Sequence, residues 1–197
     1  MKLPSSAGGP TFRSALYTAI IFAGLDLIFA VAGVILAPPG SLVGGVRPAS
    51  TIPTHLAELA GFGLLLGLVA AIFCGRKGLP LVFLAPTLVI LLDLDHLPIY
   101  LGIAQPIRPA HSIVFVVTVL ALTAIVIKRL EIDLVVVSAT LGHLGVDTGL
   151  FPPFSPFSFE YIQLDPFKVP LLIGAILAAI AAGVVLRQRS KSIQRSA

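Results

Sequence analysis

Residues 79–100 read LPLVFLAPTLVILLDLDHLPIY. No charge occurs from Leu79 to Leu92, and then Asp93, Asp95 and His96 follow within four positions. A helix needs about 20 predominantly apolar residues, at ~1.5 Å each, to cross the ~30 Å hydrocarbon core of a bilayer. This stretch meets that length and keeps its polar residues for one end. Five others share its character: 14–37, 55–74, 109–127, 132–150 and 169–186. The chain therefore predicts an all-α fold, one multi-pass membrane domain over 1–197 built from about six transmembrane helices.

Composition agrees. Hydrophobic residues make up 57% of the 197, charged residues 11%, and the mean hydropathy is +1.04. Soluble domains carry about 25% charged residues, so so few charges could not cover a soluble surface of this size. That excludes an ordinary cytosolic enzyme, a disordered chain and, despite a net charge of +4, a nucleic-acid binder. Cys74 is the single cysteine, which leaves no intrachain disulfide and no cysteine-based metal site. The stretch 14–37 exceeds the ~7–15-residue apolar core of a signal peptide and reads as a retained helix.

Lys and Arg set the orientation. One side of the six-span arrangement holds Lys2, Arg13, Arg76, Lys77, Lys128, Arg129, Arg187, Arg189, Lys191 and Arg195; the other holds Arg47, Arg108 and Lys168. This asymmetry predicts a cell-membrane protein with both termini in the cytoplasm. All four histidines, His55, His96, His111 and His143, then fall in or near the extracytoplasmic half. Each of three is spaced to share a helical face with a carboxylate: Asp93 with His96, His143 with Asp147, and His55 with Glu58. In a regular helix Asp95 points away from the face that Asp93 and His96 share. From the cytoplasmic ends, Asp26, Asp93 and Asp147 come out about 18, 21 and 23 Å deep. Carboxylates at that depth cost several kcal/mol each unless paired or liganded, and a divalent metal ion removes the conflict. The plainer readings are a helix–helix hydrogen bond for Asp26 and interfacial positions for His55 and His111. Glu131 and Asp133 pair with Lys128 and Arg129, Gly61, Gly63 and Gly67 serve close packing, and the Phe- and Pro-rich loop 151–168 lies at the interface or folds over the bundle mouth.

The ordered set Thr54-His55, Asp93-Leu94-Asp95-His96, His111-Ser112, and His143 with Asp147 followed by Pro153 to Pro156 resembles the YdjM/YbcI-type family of membrane-bound metal-dependent hydrolases. The likeness covers roughly 54–160 and omits the first helix. The chain departs from the family's pattern at Leu92, where the family has proline, and at Ala110, where it has threonine. Arg108 stands three residues before His111, where the family places arginine four before. The resemblance implies a reaction type, metal-dependent hydrolysis, without a substrate.

These readings converge on a hydrolase at the outer leaflet. His96, His143 and Asp147 are expected to bind the metal directly, with Asp93, His111 and His55 next. Asp95 or Glu58 is the expected general base, and Arg108 the group for a substrate anion such as phosphate. Mixed His and Asp ligands suit zinc, and also manganese or iron. Membrane lipids surround the chain, and a lipid-like ester or phosphoester is the expected substrate. The alternatives are a metal or proton transporter and a structural membrane protein with a metal staple.

Overall fold

A computed structural model describes residues 9–38, 52–101, 108–146 and 150–195. The protein is an all-α bundle: α1 (Phe12–Leu36), α2 (Ile52–Ala71), α3 (Leu79–Leu91), the short α4 (Leu97–Tyr100), α5 (Ile113–Val126), α6 (Leu130–Val146) and α7 (Lys168–Arg195). The 3-10 segments Gly75–Gly78, Leu92–His96 and Asp165–Phe167 link them. Two-residue strands, β1 (Leu150–Phe151) and β2 (Ile162–Gln163), pair antiparallel with Phe151 opposite Ile162.

Four stretches are long and apolar enough to cross a membrane: Phe12–Leu36, Pro53–Ala71, Gly75–His96 and Asp165–Ser192. They match the first, second, third and sixth expected spans. The fourth and fifth are shorter than expected. α5 has 14 residues and α6 has 17, or about 21 and 26 Å of helix against a core of ~30 Å. The reason at α5 is local. Ser112 is extended and caps the helix by accepting from the Phe115 amide, so residues 109–111 form a turn before it. At α6, Asp147 and the two residues after it lie outside the described residues.

The outer surface is what a lipid-facing bundle requires. Ile20, Ile28, Ile35, Ile72, Ile125 and Leu177 are more than half exposed, a pattern a water-facing protein of this size rarely shows. Inside, α6 lies against α2, α3, α5 and α7, with Ile132, Val135, Val136 and Ala139 buried. Close helix approach depends on glycine. A Cβ on Gly63 would lie 2.5 Å from the Pro86 Cα, and one on Gly67 would lie 2.8 Å from the Val82 Cα, so α2 and α3 touch backbone to backbone. Gly61, expected to do the same, faces open space. Between α6 and α7 the Ser138 hydroxyl donates to the Ala175 carbonyl at 2.8 Å.

The loop after α6 folds back over one end. Phe151, Pro152, Pro153 and Ser155 are buried, and the Ile113 amide donates to the Pro153 carbonyl at 3.0 Å. This pins the loop to the start of α5, beside His111. At the other end Glu131 is fully buried between Arg129 and Arg189, and Asp133 accepts from the Thr123 hydroxyl at 2.7 Å. The expected pairing of these acids with Lys128 is therefore corrected: Lys128 takes a left-handed turn (φ 58°) between α5 and α6, and Arg189 from α7 takes its place.

Candidate metal centre

Three elements deliver the centre's side chains. α3 gives way to a tighter 3-10 turn at Leu92–His96, in which residues three apart eclipse. Asp93 and His96 therefore stack, with His96 Nδ1 3.3 Å from Asp93 Oδ1. The turn at 108–111 starts from Arg108, which has a positive φ of 56°, a conformation costing a non-glycine residue of order 1–3 kcal/mol. It closes with the His111 amide donating to the Arg108 carbonyl. His143 comes from the last turn of α6.

Two histidines are fixed through Nδ1. His143 Nδ1–H donates to the Val89 carbonyl at 2.7 Å. A backbone carbonyl only accepts, so Nδ1 carries a proton, and a neutral ring would present Nε2 as a lone-pair donor. His111 Nδ1 lies 3.1 Å from Asp95 Oδ2, and a carboxylate also accepts only, so His111 presents Nε2 as well. The two Nε2 atoms face each other at 2.9 Å. Asp93 Oδ1 stands 3.6 Å from His143 Nε2. Asp93, His111 and His143 thus gather three buried donor atoms within 4.8 Å of one another and could hold a metal ion. Two nitrogens each ~2.0–2.1 Å from a tetrahedral zinc ion stand about 3.3 Å apart, so the spacing suits an ion of that size. The donors also agree in kind. Both oxygens of Asp93 are shielded from solvent, and imidazole nitrogens stand 3.2–3.6 Å from them.

Asp95 differs from the expectation. It is fully buried, and its Oδ2 accepts from the Ala110 amide at 2.9 Å as well as from His111, while Oδ1 lies 2.9 Å from His96 Nδ1. It joins the cluster through His96 beside it and through the 108–111 turn, which brings His111 and the Ala110 amide onto its own side. A carboxylate behind a histidine ligand sets its tautomer and ring plane, which is a positioning role.

The remaining candidates divide. His55 is partly exposed, with Nε2 3.2 Å from Asp93 Oδ2. His96 touches both aspartates rather than joining the central three donors. Glu58 is exposed on α2, and no hydrogen bond or ion pair joins it to the cluster among the described residues. Arg108 is buried in the wall beside His111. Asp147 lies outside the described residues. Asp26 is buried on α1, which packs against Leu92–His96, and lies within electrostatic range of Asp95 and Asp93. Spacing alone missed the Val89 carbonyl, because a backbone acceptor leaves no residue signature. Comparison of the chain with family models, curated proteins and solved structures gives no match.

Proposed function

We propose that the protein is a membrane-embedded, metal-dependent hydrolase of the cell membrane. The observation that supports this most is the opposition of two Nδ1-anchored imidazoles, His111 and His143, beside the Asp93 carboxylate. His111, His143 and Asp93 would hold a divalent cation, whose charge would offset the mutual repulsion of these donor atoms. Nitrogen and oxygen donors with no thiolate favour zinc, with manganese or iron as the other candidates. When bound, such an ion would supply Lewis-acid activation of water for hydrolysis.

The chain's own residues have separable tasks in this reading. Asp95 holds His111 through Nδ1 and is itself held by the Ala110 amide. Val89 holds His143 in the same way. His55, with 19% of its side chain exposed against 0% for His111 and His143, is placed to pass a proton between the interior and the surface. The loop pinned at Pro153 excludes water from one flank. The charge asymmetry supports an extracytoplasmic position for this end, where a lipid-like ester or phosphoester would reach it through the outer leaflet.

A transporter needs a polar path through the other half of the bundle. There Leu81, Leu84, Leu88, Val119, Val135 and Val136 are buried, and this dry layer disfavours a path. A metal staple without turnover is separated from a hydrolase by activity. The test pairs metal analysis of purified protein with a lipid-ester and phosphoester hydrolysis screen. His143→Ala should lose the metal and any turnover, while Asp133→Ala on the same helix should keep both. Equal metal content in wild type and both variants would sink the centre. Metal without turnover across the whole screen would favour the staple.

A further inference from the structure

The far end of the bundle carries a second feature, independent of the metal reading. Between the 3-10 turn Gly75–Gly78 and the last turns of α7 lies a cavity of ≈ 340 Å³, within the ~300–1,000 Å³ range of small-molecule sites. Arg76 and Lys77 line it from the turn; Arg187, Ser190, Lys191 and Gln194 line it from α7. The α7 residues fall at positions i, i+3, i+4 and i+7, a single helical stripe. No carboxylate lines the cavity.

The four bases differ from their neighbours at this end. Arg129 and Arg189 are committed to buried Glu131. Arg76, Lys77, Arg187 and Lys191 are exposed, and none has a carboxylate partner among the described residues. Four unneutralised cations around one concavity repel one another, and an anion relieves that repulsion. Depth narrows its class. The 28 residues of α7 span about 42 Å, against a hydrocarbon core of ~30 Å and ~40–45 Å with headgroups. The stripe 187–194 follows the apolar run, at headgroup level. Phe73, 38% exposed, adds an apolar lip to the same cavity. Guanidinium and ammonium donors with a hydroxyl and an amide suit phosphate oxygens, and basic pockets between membrane helices hold anionic headgroups.

We propose that this cavity binds the phosphate group of an anionic ligand, with an anionic phospholipid of the adjoining leaflet as the source that its depth and apolar lip favour. The test uses the full chain in neutral detergent, with bound ligand read by native mass spectrometry. The probes are phosphatidylglycerol, phosphatidylcholine and inorganic phosphate. Phosphatidylglycerol should be retained over phosphatidylcholine, and Arg187→Gln and Lys191→Gln should each weaken it about fivefold, at ~1 kcal/mol per base. Lys128→Gln, an exposed base outside the cavity, should leave it unchanged. Thermal melting of each variant separates lost binding from lost fold, and Arg76→Gln, on the other wall, gives a second reading should an α7 variant prove unstable. Retention of inorganic phosphate in place of the lipid, with the same residue dependence, identifies a free phosphate compound as the source and upholds the site. Retention of neither anion, or equal losses in Lys128→Gln and the cavity variants, overturns it.

Discussion

Two clusters of buried charge sit at opposite ends of α6, and they are built on opposite rules. At its start, Glu131 meets Arg129 at 3.2 Å and Arg189 at 3.0 Å. Every ion pair there joins a donor to an acceptor. At its end, His143 Nε2 faces His111 Nε2 and Asp93 Oδ1, and atoms that bear lone pairs meet atoms that bear lone pairs. Asp93 contacts only imidazoles among the described residues. The first arrangement ties α6 to α7 through Arg189 and pairs opposite charges. The second gathers donor atoms that a cation, whether shared protons or a metal ion, would satisfy. Burial alone therefore does not mark a functional site; the sign of the mismatch does.

The largest effect should come from breaking the ion-pair network at Glu131. Glu131→Ala leaves two guanidinium groups without their carboxylate, one of them, on Arg129, 2% exposed. Removing one partner of a buried pair costs about 3–5 kcal/mol. Thermal melting in detergent should show a large drop, while metal content per folded molecule stays at the wild-type value. A loss of metal equal to that in His143→Ala would mean the two ends are a single unit.

A smaller effect tests the positioning of His111. Asp95 Oδ2 accepts from two N–H groups, those of Ala110 and His111, and Oδ1 faces His96. In Asp95→Asn the remaining oxygen can keep the Oδ2 place, with the amide nitrogen turned toward His96. The geometry survives, but His111 loses the negative charge that strengthens it as a ligand. Partners of this kind are worth about 10–100-fold in metal affinity. Competition with a chelator should find a loss in that range with melting little changed. An unaltered affinity would return Asp95 to the role of a base, and complete loss would make it a ligand.

How much of this could be read beforehand follows from the physics of each feature. The apolar runs showed a helical membrane bundle, because bilayer thickness translates directly into residue count. They overstated α5, since an apolar residue in a turn, such as Ala110, looks the same in sequence as one in a helix. His143, His111 and Asp93 were legible as candidates because polar residues are costly in spans. Their ranking was not, because it depends on the 3-10 winding of Leu92–His96, which no spacing rule for a regular helix describes. Glu58 looked like a partner of His55 by spacing, yet three residues along a helix fixes only a shared face and not the depth of burial. The cavity at the far end went unread because bases that flank spans look alike until the chain folds and brings Arg76 and Lys77 against Arg187 and Lys191.

The smallest effect bears most directly on whether the two ends of α6 are independent. Ser138 lies between them, seven residues after Glu131 and five before His143, and it bonds α6 to α7 through the Ala175 carbonyl at 2.8 Å. Interhelical hydrogen bonds of this type in membranes are worth about 0.6 kcal/mol. Ser138→Ala removes the donor and leaves one carbonyl that still accepts within its own helix, so nothing buried is stranded. Melting should fall slightly, and metal affinity should hold within twofold, because His143 is fixed by the Val89 carbonyl on α3 rather than by α7. If affinity instead falls as far as in Asp95→Asn, then the α6–α7 seam sets the position of His143. The closed network at Glu131 would then be part of what holds the open one in register, and the contrast between the ends would describe one device rather than two.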